Sequence, residues 1–352
     1  MTDDSKRNEN DRRRFLKAAA SAGLSVPFCF LSGAACGKAD PAGREPGTVL
    51  QNRQEKEPST VVKARDDAVR SSQGQIKTEK VRRMLDESVR RLTGEAKALD
   101  GWKKLFRPNE RVTIKVGCLP GANLSTRPEV AFAVAQALVD AGLKPSNIVV
   151  WDRSNRELRE AGYEIDTGSS RINCYGTDHL PGTGYTSRIY SAGQVGSLFS
   201  KILTQRSDAV VSVAVLKDHD LSGVSLTMKN FFGVIHNPNK YHEDHCDPYI
   251  AQLMTHRQIS GKLRLSVIDG MLAQANRGPA YAPQYAWEWN GLLVSRDPVA
   301  ADAMGTDIIE QRRAEVDLRS LKQVGRPPAH VATAQKLGLG VADPQRIELV
   351  EI

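Results

Sequence analysis

Apolar positions along the chain switch repeatedly between a period of two and a period of three to four, and the alternation lays out an α/β protein. Residues 60–64 (TVVKA) predict a short strand. Val81, Met84, Leu85, Val89 and Leu92 share the spacing of one helix face across residues 80–99, with Gly94 placed to interrupt or end it. Residues 111–117 (RVTIKVG) predict a strand. Thr126 and Glu129 are then spaced as a capping box, with Pro128 in the first turn of a helix that runs through Val130, Val134, Leu138 and Val139 and stops at Gly142. Residues 147–152 (NIVVWD) are the next strand. Strand, helix, strand at this spacing is a βαβ unit, so the sheet is at least partly parallel.

Residues 155–190 are dominated by Gly, Ser, Thr and Tyr and predict an elaborated loop with short strands. Gly182-Thr-Gly184 is not a dinucleotide fingerprint, since no strand precedes it and no third Gly follows in place. A short helix is expected over 198–203. The β-branched run 208–216 reads as a central buried strand. Further strands are expected at 263–268, ending at Asp269-Gly270, and at 291–295. Asp297 caps a helix that starts with Pro298. A short helix near 332–337 and a closing strand at 347–352 complete a single large α/β domain over 59–352. Its sheet is mostly parallel or mixed and flanked by helices.

The N-terminus changes the setting. Arg12-Arg13-Arg14-Phe15-Leu16-Lys17 precedes an apolar run from Ala18 to Ala35, too short for a membrane span and built like a signal peptide. It resembles a twin-arginine export signal, which implies the twin-arginine machinery as a partner and a periplasmic location. Small residues before Cys36 resemble a lipoprotein cleavage site, although Gly33 stands where Leu is usual; plain cleavage near Ala34 or Ala35 is the alternative. Acylated Cys36 would tether the protein to the membrane, and residues 36–58 read as a disordered tether. The formal charge of +8 fits first a mixed solvated surface, and also suits a small anion or an anionic surface. No aromatic-interleaved basic run accompanies it, so nucleic acid is not an expected partner.

Candidate chemistry concentrates between Val213 and Asp247. Four of the seven histidines, His219, His236, His242 and His245, fall in that window. Ligands of open α/β sheets sit beyond the carboxyl ends of the strands. Lys217, Asp218 and His219 follow one strand, Lys115 lies near the end of another, and Asp152 and Asp269 end two more. His219 beside Asp218 reads as a general acid/base, although neighbours on an extended strand point oppositely. Lys217 and Lys229 suit a substrate carboxylate or phosphate, with Lys115, Asn230 and Asn237 as further substrate contacts. His242 and His245 are three apart and, with His236, offer imidazoles to a divalent zinc, nickel or iron ion. Without a metal, the Asn237-Pro-Asn239 start of this loop suits a lid. Asp297 is assigned to capping.

Val112-Thr-Ile-Lys115, Leu216-Lys217-Asp218-His219, Thr227-x-Lys229-Asn230-x-Phe232-Gly233 and Asp297-Pro298-Val299-Ala300-x-Asp302-x-x-Gly305 together resemble the family called domain of unknown function 362, over roughly residues 60–315. The resemblance implies a fold class and little chemistry. Some members carry Cys-x-x-Cys-x-x-Cys modules. Here only Cys118, Cys174 and Cys246 follow Cys36, too scattered for a four-thiolate iron–sulfur cluster. The expected function is an acid/base or metal-assisted enzyme acting on a small anionic substrate. The alternatives are a non-catalytic envelope protein that binds a metal or small anion, and a subunit associated with electron transfer.

Overall fold

The computed structural model describes residues 58–352. The leader at 1–35, the lipidation candidate Cys36 and the tether up to residue 57 lie outside the described residues. The described strands are β1 (Ser59–Arg65), β2 (Val112–Val116), β3 (Ile148–Trp151), β4 (Asn173–Cys174), β5 (Tyr190–Ala192), β6 (Val195–Ser197), β7 (Ala209–His219), β8 (Gly223–Val224), β9 (Leu263–Gln274), β10 (Ala286–Trp287), β11 (Gly291–Ser295) and β12 (Ile347–Glu351). The helices are α1 (Thr78–Thr93), α2 (Ala98–Leu105), α3 (Pro128–Asp140), α4 (Asn155–Glu160), α5 (Lys201–Gln205), α6 (Tyr249–Thr255), α7 (Arg257–Ser260), α8 (Pro298–Glu315) and α9 (Ala329–Lys336). Among the described residues no helix is long and apolar enough to cross a membrane.

Ten strands form one mixed sheet in the order β12-β1-β11-β9-β7-β2-β3-β4, with β10 added to β9 and β8 to β7; β5 and β6 pair separately. β9, β7, β2, β3 and β4 are parallel neighbours, and β11 runs against both β9 and β1. The α/β class with helices flanking a mixed sheet is therefore as expected. The chain steps from β2 to β3 to β4 on one side, then returns to place β7, β9 and β11 on the other. The strand order reverses between β2 and β7, and a crevice at the carboxyl ends of such strands is where α/β sheets hold ligands.

Alternation along the strands serves two cores. Val211 and Val213 of β7 and Leu265 and Val267 of β9 face a core shared with Val81 and Leu85 of α1, Trp102 of α2 and Val134 of α3. Val210 packs with residues of α6 and α9, and Leu216 and Ile268 with Ala300 and Ile309 of α8. All 11 residues of β7 are buried, as a strand covered on both faces requires. Gly94 ends α1 in the left-handed conformation at φ 70°, which a side chain rarely adopts.

Three local expectations are corrected. The capping box of α3 does not form: the Thr126 hydroxyl accepts from Gly117 N–H at 3.0 Å and donates to Val213 O at 2.8 Å, stitching β2 to β7 at the reversal point. The N–H of Arg127 at the start of α3 is taken instead by Asp269 Oδ2 at 2.8 Å. Strand β9 does not stop at Asp269-Gly270 but runs on to Gln274. Within the expected loop region, α4 forms and β4 extends the sheet edge.

Asp297 caps α8 as its sequence context predicts: Oδ1 accepts from Val299 and Ala300 N–H at 2.8 and 3.0 Å. Oδ2 takes Val341 N–H at 2.9 Å and the Ser59 hydroxyl at 2.5 Å, joining both ends of the domain. Asp297→Ala is expected to cost about 2–3 kcal/mol, read as a lower urea midpoint with an unchanged slope.

Candidate functional site

At the reversal point a buried knot fixes the ends of β2 and β3. The Lys115 ammonium, 1% exposed, donates to Asp152 Oδ1 and Val116 O, each at 2.7 Å, and to Asn230 Oδ1 at 3.1 Å. Asp152 Oδ2 accepts from Cys118 N–H at 2.7 Å, and Asn230 Nδ2 donates to Lys115 O and Ser212 Oγ at 2.9 and 3.0 Å. A Cβ on Gly233 would lie 2.7 Å from Lys115 Nζ, so glycine is needed for this turn to approach the pair. The Lys229-Asn230-Phe231-Phe232-Gly233 motif thus supplies one anchor, one close approach and one lysine outside the knot. Asp302 sets its start, accepting from the Thr227 N–H and hydroxyl and from Met228 N–H. Burial pushes the Asp302 carboxyl up to about 7.

Lys217 and Lys229 face a cavity of about 570 Å³ over this knot. Each is 6% exposed, and burial lowers each ammonium to about 8. Lys217 Nζ donates to Leu124 O at 3.4 Å. Lys229 Nζ sits 3.1 Å from His242 Nε2 and 4.2 Å from the Phe232 ring centroid. Among the described residues neither lysine has a carboxylate within ion-pair distance. The carboxylates lining the cavity are engaged elsewhere: Asp152 with Lys115, Glu157 with Arg153, and Asp220 with Arg326.

His219 and His242 line the same cavity with rings 5.8 Å apart. The turn after β7 sends Leu221 and Ser222 N–H to His219 Nδ1 at 3.1 and 3.3 Å, which puts the ring proton on Nε2. Burial, then Lys229, His242 and Lys217, lower its pKa to about 2. These contacts and the lowered pKa leave His219 a neutral hydrogen-bond donor through Nε2 at neutral pH. His242 lies 3.0 Å from Pro238 O through Nδ1, which leaves the Nε2 lone pair for Lys229. Burial and Lys229 lower His242 as well.

Other expected site residues lie apart from this centre. Asp218 accepts from Gly278 N–H at 2.8 Å and Arg326 Nη1 at 2.9 Å and is not among the cavity-lining residues, because β7 alternates its side chains. Lys115 and Asn230 line the cavity, yet their polar groups are committed to the knot. Asn237 accepts from Ser197 Oγ at 2.5 Å outside the lining. The expected imidazole cage is not assembled. His236 packs edge-on against Tyr185, and His245 Nδ1 lies against Leu221 O at 3.1 Å. Among the described residues no group of three or more His, Cys, Asp or Glu is placed to hold a metal ion. Asp269, expected on the rim, is spent on Arg127 and Met271 N–H.

Cys118 in the lining and His330 buried near Lys229 have no expected role from the sequence. Cys118 lines the cavity beside Asp152; Cys118, Cys174 and Cys246 are free and buried. His330 of α9 is fully buried with neither ring nitrogen hydrogen-bonded, and burial and Lys229 hold it near 3. No local signal marks His330, since its surroundings come from elements distant in sequence.

The sequence profile of a family described as domain of unknown function (DUF362) matches residues 112–307, more than half of the chain. These residues hold the knot, both cavity lysines and both cavity imidazoles. A thylakoid-associated protein of Synechocystis sp. is 24% identical over 267 residues, covering 71% of this chain and 77% of its own length.

Two lysines held near 8 make stability depend on pH. The unfolded chain binds more protons than the folded one between pH 8 and 10.5, so stability rises with pH across that window, and the burial penalty is complete below pH 8. Lys217→Met is expected to be more stable than the parent at pH 7 by on the order of 1–3 kcal/mol. In denaturant titrations at several pH values the gap should shrink toward pH 10.5. A less stable variant at pH 7 would show that a partner compensates the Lys217 charge.

Proposed function

The chain belongs to the domain of unknown function 362 family, and on that premise we propose that it is a small-molecule enzyme acting on an anionic substrate at the β2–β7 reversal point. Lys217 and Lys229 grip the anionic group and the Lys229–His242 pair moves a proton. One observation carries the reading: two ammonium groups are buried in a cavity whose carboxylates are paired with other cations. An uncompensated buried charge is costly, and an anion entering between the lysines removes that cost. The Nε2–H of His219 supplies a directional donor beside them, free of the charge that would make it compete with the lysines for protons.

Proton transfer in this reading belongs to Lys229. Its ammonium donates to His242 Nε2, and the contact of His242 Nδ1 with Pro238 O fixes which nitrogen receives. An amine near 8 gains and loses its proton close to neutral pH, as a general acid or base requires. An anion receptor would need the charge and not the imidazole partner, which favours an enzyme over a binding protein. Twin-arginine export and a membrane tether through Cys36 complete the proposal. The thylakoid association of the Synechocystis relative supports a membrane-linked setting.

Calorimetric titration with inorganic phosphate and with acetate tests the grip. At pH 8.5 both lysines are partly neutral, and a bound anion raises their pKa, so binding should take up protons, seen as a heat that varies with buffer ionisation enthalpy. Lys217→Met should weaken binding about 10- to 100-fold. Binding indifferent to Lys217→Met, or no proton uptake, contradicts the proposal.

A further inference from the structure

The cavity is far larger than a bare oxyanion needs, and its composition changes from floor to mouth. About 570 Å³ lies within the range that holds whole organic ligands. The two lysines at the floor are 6% exposed, while Leu119 and Leu221 at the mouth are 61% and 44% exposed. A single exposed leucine is ordinary. Two in the lining of one cavity, which Pro120, Pro279 and Phe232 also line, give an exposed apolar approach to buried lysines.

Neither leucine is exposed by looseness of the chain. Leu119 sits in a turn closed by Gly121 N–H to Cys118 O at 3.1 Å, with Gly121 at φ 73°, and Cys118 N–H is itself anchored on Asp152. Leu221 N–H is bound to His219 Nδ1 at 3.1 Å. Asp152 and His219, which line the cavity, therefore also anchor the turns that carry the two leucines. The wall also carries the Arg153–Glu157 pair, Asp220 and Pro238, and Leu119 and Leu221 are the exposed large apolar side chains among its lining residues.

From this gradient we infer that the substrate is an amphiphile: a carboxylate or phosphate head on the lysines and an unbranched apolar chain leaving between Leu119 and Leu221. The inference rests on the anion grip proposed above and adds the chemistry of what the anion is attached to. Leu119 and Leu221 are then specificity-determining residues for the chain.

Calorimetric titration with acetate, hexanoate and octanoate, and with phosphate and octyl phosphate, all below their micellar concentrations, tests it. Each methylene is expected to tighten binding about two- to fourfold until the lip is covered. The double variant Leu119→Ser/Leu221→Ser is expected to flatten that dependence, with acetate or phosphate as the reference for each protein. Whichever head gains more from the same chain identifies the head group. Equal affinity for acetate and octanoate, and for phosphate and octyl phosphate, overturns the amphiphile and leaves the anion grip standing. A chain-length dependence that persists in the double variant also overturns it, because the tail would then lie elsewhere. Absence of binding by every probe overturns the grip and the amphiphile together.

Discussion

The arrangement depends on a buried ion pair beneath the cavity. Lys115 and Asp152 close the ends of two neighbouring parallel strands, and both are buried. Such a pair is tolerated only when the remaining donors and acceptors are also satisfied. Here Val116 O, Cys118 N–H, Arg153 N–H and Asn230 complete it. The constraint spreads outward. It fixes the Gly233 turn against the sheet, directs Lys229 over the crevice, and consumes the strand-end carboxylate that would otherwise neutralise the cavity. The positive character of the cavity is thus a consequence of the pair beneath it.

The two-residue alternation of β7 divides the labour across the sheet. Lys217 and His219 line the cavity. Asp218, between them, is committed to Arg326, which also reaches Asn276 Oδ1 at 2.6 Å. A Cβ on Gly278 would lie 2.1 Å from Asp218 O, so the 276–279 loop is pressed against the strand. Pro279 of that loop lines the cavity. Asp218 therefore bears on the site by holding a loop.

Much of the fold was legible because its signals are local. The β-branched run of β7, the periodic face of α1 and the Asp297-Pro298 start of α8 each state their own conformation. Helix α2 escaped notice because its apolar anchors, Trp102 and Leu105, are too few for a period. The start of α3 was misread because its acceptor, Asp269, is 142 residues away and nothing nearby announces it. The site was half legible by the same logic. Strand ends could be placed, so Lys115, Asp152, Lys217 and His219 were correctly gathered at one crevice. Which lysine would be paired could not be read, since that depends on side chains meeting across strands. The histidines were misleading: closeness in sequence suggested a cage, while the 236–246 loop gives each ring its own partner. The tautomer of His219 is set by the turn after β7, which aims two N–H groups at its ring and which no local signal announced.

A floor of two buried ammonium groups without a carboxylate partner among the described residues must attract an oxyanion. Crystals soaked in tungstate and measured at the tungsten absorption edge address it directly. A peak between Lys217 Nζ and Lys229 Nζ, within hydrogen-bond reach of His219 Nε2, is expected. Tungstate bound only at surface arginines, with a carboxylate of the 236–246 loop found against either lysine, would contradict it.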